Sequence, residues 1–305
     1  MTDLIARQES LPEHLSTGVK QANELIAARH SIATRIAYES DLRELHRWAS
    51  ANGLQAFPAS IDTVVLYLTH LSNRLKPSSL ARKVAAIKFE FRQAGLPSPT
   101  DTEPVKALLA GARRTKGSAP RQVSPATIDV IEKLLSTCDD SPRGHRDKAL
   151  IALGFGAALR RSELAKVRLE DIEISDRGLV LSLPKSKTDQ EGKGQQVAVL
   201  DGQRLKIKQL VAKWLEVSGI TTGLIFPMTD RHIANIIKSR ARAAGLDEQQ
   251  FSGHSLRSGF LTSAAANGAN LFRMMDVSRH RSVNTVRGYV RKAQQFEDHA
   301  GSAFM

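Results

Sequence analysis

Asp171-Ile172-Glu173-Ile174-Ser175-Asp176-Arg177-Gly178-Leu179-Val180-Leu181-Ser182-Leu183 is the one clear β region of the chain. Asp171 to Ile174 and Leu179 to Leu183 flank Asp176-Arg177-Gly178, a hairpin signal. A polar loop, Lys185 to Gln195, leads to a third strand near Gln196 to Val199. Everything around this hairpin reads as helix. Before it, Ser124-Pro125 offers a serine cap with proline at the first helical position, and a long apolar helix follows at roughly 143–158. After it, helical patterns recur at about 202–218, 231–244, 255–267, 270–277 and 283–292. The pattern predicts a mostly helical domain holding one small antiparallel sheet.

The first ~115 residues are helical throughout. Ser31 opens a segment with Ile32, Ile36, Leu42, Leu45 and Ala49 near helical spacing, ending at Asn52-Gly53. Ser60 caps a helix carrying Val64, Leu68, Leu71 and Leu75. Ser78 or Ser79 caps another, with Leu80, Val84, Ile87 and Phe91 on one face and Gly95 as its stop. Glu103-Pro104 starts a fourth, and a further helix fits residues 16–30. Arg82, Lys83, Lys88 and Arg92 are placed off the apolar stripe, as a solvated face or as phosphate contacts. The stretch Gly111 to Arg121 is small, basic and breaker-rich. Its Arg113, Arg114, Lys116 and Arg121 are either solvated or track a phosphate backbone. The expected layout is a helical bundle over 1–111, a basic linker over 112–122 and a second domain over 123–305.

Composition narrows the partners. The chain has 305 residues, about twice the length of one average domain. It carries 44 Lys and Arg against 31 Asp and Glu, a net charge of +13. Residues 1–120 hold 16 basic and 11 acidic groups, and 121–305 hold 28 and 20, so the excess is not a tail. A positive field along the whole chain suits a polyanion, nucleic acid before an anionic membrane. No apolar run is long enough to span a bilayer, and the N-terminus lacks a signal-sequence pattern. The expected compartment is the cytoplasm, with the protein on the nucleoid. Cys138 is the single cysteine, which excludes an internal disulfide and a cysteine-based zinc site.

Familiar catalytic motifs are missing: no phosphate-binding glycine loop, no GxGxxG, no HExxH, no GxSxG. Four short segments stand out instead. They are Ala158-Leu159-Arg160-Arg161-Ser162-Glu163-Leu164; Pro184-Lys185-Ser186-Lys187-Thr188; Gly253-His254-Ser255-Leu256-Arg257-Ser258-Gly259; and Arg279-His280-Arg281-Ser282, followed by Tyr289. Two arginines can grip the non-bridging oxygens of a phosphodiester while staying charged. Histidines can donate or shuttle protons near neutrality. A lysine among other cations has a lowered pKa, suited to protonating a leaving oxygen. A tyrosine can attack phosphorus and hold it as an ester.

In this order and at these separations the segments resemble the signature of the tyrosine recombinase (phage integrase) family, Arg…Lys…His-x-x-Arg…His/Trp…Tyr. The resemblance spans roughly residues 15–300 and is closest in look to the Cre-like recombinases. It implies a two-domain clamp on DNA: an N-terminal helical core-binding domain and a C-terminal mixed α/β catalytic domain. By resemblance Arg160, His254, Arg257 and His280 form the phosphate-activating set, and Glu163 is the acidic residue that orients it. Tyr289 is the nucleophile, and Lys187 the lysine of the β-loop, with Lys193 of Gly192-Lys193-Gly194 as rival. Two positions depart from the common pattern: Ala158 and Arg279 stand where many members have glycine. The resemblance further implies no cofactor and no metal. Its partners are duplex DNA with inverted-repeat half-sites, bound as a dimer per site, and a homotetramer on DNA. Base reading falls to the helix near 79–94 and to 231–244, with Arg240 and Arg242. A type IB topoisomerase-like enzyme and a non-catalytic DNA-binding protein of the same fold are the competing readings.

Overall fold

The structure, a computed structural model, describes residues 16–29, 31–117, 123–183 and 194–293. The chain falls into two compact units, divided between residues 120 and 121.

The first unit is helical: α1 (Ser16–Ala28), α2 (Ile32–Ala51), α3 (Ile61–Ser72), α4 (Pro77–Gln93) and α5 (Glu103–Lys116). Ser31 and Ser60 accept the amide protons of Thr34 and Thr63, which otherwise lack helical partners. α4 begins earlier than expected, because Pro77 takes the first helical position and Lys76 precedes it. Leu45, Val64, Tyr67, Leu68, Leu71, Leu80, Ile87 and Phe91 form the core. The expected linker also starts too early. α5 runs through Lys116, because Ala112 is buried and Leu108 and Leu109 pack on the core.

The second unit holds α6 (Ile128–Ser136), α7 (Pro142–Gly156), α8 (Arg161–Leu164), β1 (Ile172–Ser175), β2 (Gly178–Leu183), β3 (Gln195–Leu200), α9 (Ile207–Ser218), α10 (Asp230–Ala243), α11 (Gly253–Ala266), α12 (Leu271–Ser278) and α13 (Val283–Ala293). The sheet is antiparallel in the order β1-β2-β3, with Val180 opposite Glu173 on one side and Ala198 on the other. Leu150 to Leu153 of α7 are all fully buried, which makes it the unit's central helix. The sheet's inward side chains, Leu179, Leu181, Val197 and Val199, join the same core.

Ser124-Pro125 does not start a helix. Ser124 and Ala126 donate their amides to the carbonyls of Gln250 (2.7 Å) and Ser255 (2.9 Å), so the segment is pinned in extended form. Thr127 precedes α6 instead. No helix among the described residues is long and apolar enough to cross a membrane.

Candidate active site

The site is built from helix ends of the second unit. α7 closes with a Schellman turn: Leu159 N–H donates to Gly154 O (3.0 Å) and Ala158 N–H to Phe155 O (2.9 Å). That turn needs a left-handed residue, and Ala158 supplies it with φ 45°. The geometry accounts for a position where glycine is the easier occupant. The carbonyls of Ala157 and Ala158 are left to accept side-chain donors.

Arg160 follows as the residue before α8. Its amide donates to Glu163 Oε2 (2.8 Å) and its Nη1 to Glu163 Oε1 (2.6 Å). Glu163 is buried. Burial pushes its carboxyl pKa up, but Arg279 and Arg160 together outweigh this and hold it below the ordinary value.

α11 carries His254 and Arg257 on its first turns. Arg257 is among the largest fully buried side chains of the chain, at 1% exposure. Its Nη1 donates to Ala158 O (2.8 Å), and its Nη2 lies 3.3 and 3.4 Å from the two ring nitrogens of His280. Burial, then Arg160 and Arg279, pull its pKa down to about 9, which leaves it charged at neutral pH. Partial desolvation, then Arg257 and Arg160, also lower the His254 pKa, although the side chain reaches solvent.

His280 lies in the turn between α12 and α13. Ser278 Oγ donates to Met274 O (2.6 Å) and lies 2.8 Å from His280 Nδ1. A hydroxyl has one proton, so Nδ1–H must donate to Ser278, and Nε2 keeps its lone pair. Burial, followed by the surrounding guanidiniums, pushes the His280 pKa down to about 4, so the ring is neutral at pH 7. Tyr289 on α13 packs beside Leu261, Ala265, Met274 and Val286. Burial raises its pKa, and Arg257 works against that rise.

Arg160 pairs with Glu163 and Arg257 with His280; the two pairs meet through the Ala158 carbonyl, which accepts from Arg257 and from Arg279, and His254 and Tyr289 lie within the field of Arg257. Lys187, Lys193 and Arg121 lie outside the described residues. Reading the sequence for function missed two residues. One is Ser278, for which no motif gives a signal. The other is Arg279, whose signal was its departure from glycine; it adopts φ 56° and ψ 40° and bonds to Glu163. Among the described residues, no group of three or more His, Cys, Asp or Glu could hold a metal ion.

Two of the expected DNA contacts are corrected. Lys83 Nζ is buried between Asp41 (2.8 Å) and Glu44 (2.5 Å). It lies three residues after Leu80 and four before Ile87, inside the apolar stripe rather than off it. Arg240 likewise follows Ile236 and Ile237 by helical spacing, and it is tied to Asp147 (2.7 Å) and Thr137 O (2.8 Å). Of the remainder, Arg82 forks Asp41 but is about half exposed, Lys88 pairs with Asp101 and Arg242 with Glu248. Arg92 lines a cavity of about 270 Å³ with Lys88, Arg29 and Tyr38. Arg113, Arg114 and Lys116 are exposed at the end of α5, where Lys116 Nζ donates to Asn73 O (3.0 Å).

Residues 126–295 match the phage integrase family, and residues 22–94 match the phage integrase N-terminal SAM-like domain. The chain belongs to the phage integrase family. An integrase/recombinase xerD homolog of Selenomonas ruminantium is 34% identical to this integrase-family chain over 306 residues, covering 94% of the chain and 89% of the relative. Recombinase cre of Escherichia phage P1 is 24% identical, covering 80% and 79%. The fold is that of XerH site-specific recombinase in a post-cleavage complex with palindromic difH substrate (TM-score 0.65, 15% identity, 92% and 82% covered). It is also that of a lambda integrase tetramer bound to a Holliday junction (TM-score 0.65, 19% identity, 93% and 79% covered).

Proposed function

We propose that the chain is a site-specific DNA recombinase that cuts and rejoins duplex DNA through a 3′-phosphotyrosyl bond on Tyr289, without metal or ATP. The carrying observation is the convergence of Arg160 and Arg257 with His280, His254 and Tyr289 at the ends of α7, α11 and α12 and on α13. In-line attack on a phosphodiester adds negative charge to its non-bridging oxygens. Two guanidiniums fixed in a partly desolvated site stabilise that charge, the task a metal performs elsewhere. Tyr289 passes its phenolic proton to a neutral site histidine as its oxygen bonds to phosphorus and the bond to the 5′ oxygen breaks, and Lys187 protonates that oxygen as it leaves. Phosphorus keeps its bond energy in the tyrosyl ester, so a 5′ hydroxyl from another strand reverses the step without ATP. The relatives named above support DNA as the partner, and the net charge of +13 agrees with it.

Assembly is the second half of the proposal. Phe296, Ala300 and Phe304 form a short apolar stripe beyond the described residues. An apolar groove of about 360 Å³, lined by Phe155, Leu200, Ile207, Phe260 and Val277, could receive such a stripe from a neighbouring protomer. Cyclic exchange of this kind would build a tetramer from two DNA-bound dimers.

A nicked suicide duplex tests the chemistry. The duplex is first captured covalently by the wild-type chain from sheared DNA of the organism that carries the gene. Tyr289→Phe should bind it normally and give no covalent band on a denaturing gel; a surviving band would move the nucleophile elsewhere. Relaxation of supercoiled plasmid of any sequence would instead favour a topoisomerase.

A further inference from the structure

Arg279 combines three features that work against it. Its backbone is left-handed, a conformation that favours glycine. Its guanidinium is buried, with a side chain only 2% exposed. Its Nε is buried without a hydrogen-bond partner. A glycine turn would avoid all three, so stability alone does not account for the arrangement.

The contacts do. Nη1 donates to Val277 O (2.9 Å) in its own turn and to Ala157 O (3.1 Å). Nη2 donates to Ala158 O (3.3 Å) and to Glu163 Oε2 (2.8 Å). One side chain therefore ties the turn that carries His280 to the turn that precedes Arg160, and it claims one oxygen of the carboxylate that Arg160 also holds. With Oε2 engaged by Arg279 and by the Arg160 amide, only Oε1 is left for the Arg160 guanidinium. Arg160 then gives Glu163 a single guanidinium donor, Nη1, among the described residues. Its other donors stay available to a phosphate.

We propose that Arg279 is a positioning residue. It holds Glu163 so that Arg160 keeps its phosphate-binding face, and it sets the distance between that face and His280. This rests on the recombinase reading of the site. Arg279 touches no reacting atom in this account; it acts through Glu163 and through the two turns.

The test uses the full chain and the captured duplex. Arg279→Gly suits the left-handed turn and removes the tie, while Arg279→Lys keeps the charge and loses the fork. DNA affinity should change by less than about 3-fold in both, because the site is one phosphate contact among many. Single-turnover cleavage should fall about 10- to 100-fold in Arg279→Gly, the scale of a small misplacement at a reacting centre. The pH profile separates positioning from general weakening. Glu163 is faced by Arg160, the residue before its helix, by Arg279 and by Arg257. Without Arg279 its carboxyl takes up a proton at higher pH, so the acid limb of the cleavage profile should move upward. Arg279→Lys should restore most of that limb but not the full rate. His280 also loses a nearby cation in Arg279→Gly, so the comparison is repeated in Glu163→Gln, where the larger part of the limb shift should disappear. A limb superimposable on wild type, or a shift undiminished in Glu163→Gln, would overturn the proposal. If Arg279→Gly does not fold, an Arg279→Lys profile with the wild-type rate would do the same. Failure of the wild-type chain to form any covalent adduct would strike at the recombinase reading instead, so the two failures are distinct.

Discussion

Gly259 sits on α11, two residues after Arg257, with its Cα against the backbone of the segment that enters the second unit. A methyl group there would lie 1.8 Å from the carbonyl oxygen of Ala126, 2.3 Å from its carbon and 2.9 Å from its nitrogen. These are backbone atoms, so no side-chain rotation gives relief. Ordinary contact requires the segment to retreat by about 1.5 Å, which breaks the Ala126 N–H to Ser255 bond (2.9 Å) and the Ile128 N–H to Ser263 Oγ bond (3.0 Å). Overpacking costs about 1–3 kcal/mol, and two lost hydrogen bonds add about 1 kcal/mol each. Gly259→Ala should therefore lose about 3–5 kcal/mol, within the roughly 5–15 kcal/mol that holds a domain folded. Urea unfolding reads this cleanly, because the chain has two tryptophans, Trp48 in the first unit and Trp214 in the second. In a Trp48→Phe background, Trp214 fluorescence reports the second unit alone. Its midpoint should fall by about 1–2 M urea. Cleavage should fall about 100-fold where the protein is still folded, because His254 and Arg257 move with the helix. A midpoint unchanged from wild type would refute the reasoning.

Lys83→Met should destabilise the first unit by about 2–3 kcal/mol, less than a fully orphaned buried charge because Arg82 still holds Asp41. The slope of DNA affinity against salt should stay unchanged, where loss of a phosphate contact would lower it by about one. Lowering the pH should unfold the second unit. His280, with a folded pKa near 4 against an ordinary 6.5, stabilises the fold above pH 6.5, and that contribution is lost as the pH falls towards 4. Glu163, with a depressed pKa, adds a further loss below the ordinary carboxyl range. A melting temperature flat between pH 7 and pH 4 would count against this account of His280. Lys187→Ala should slow cleavage about 10²–10⁴-fold, and a 5′-bridging sulfur, which leaves without a proton, should restore most of the rate. The same rescue in Lys193→Ala and not in Lys187→Ala would reassign the acid. Truncation before Phe296 should preserve binding to one half-site and abolish cooperative binding to two, as gel shifts on the two duplexes would show.

Helices and strands were legible where side chains repeat. The hairpin of β1 and β2 and the long helix α7 stand within a residue or two of their expected places, because the Asp-Arg-Gly turn and the apolar run are local signals. Expectations failed where a distant partner decides. Ser124-Pro125 reads as a helix start until Gln250 and Ser255, more than a hundred residues away, take its amides. Lys83 and Arg240 read as surface cations until Asp41 and Asp147 are seen beneath them. In both cases helical spacing already placed the cation within an apolar stripe, and charge misled. The candidate active site was legible as residue types in order. The roles of Ser278 and of the carbonyls of Ala157 and Ala158 were not, because backbone acceptors have no sequence signal.

Arg160 and Tyr289 bracket 128 residues, and among the described residues every group between them that shapes the site lies at a helix end or in a turn. A protein made from its N-terminus at about 5–20 residues per second acquires Arg160 several seconds before Tyr289 leaves the ribosome. During that interval the chain holds Arg160, Glu163, His254, Arg257 and His280 without the nucleophile. Under the recombinase reading, the ability to break DNA arrives all at once, with the docking of α13.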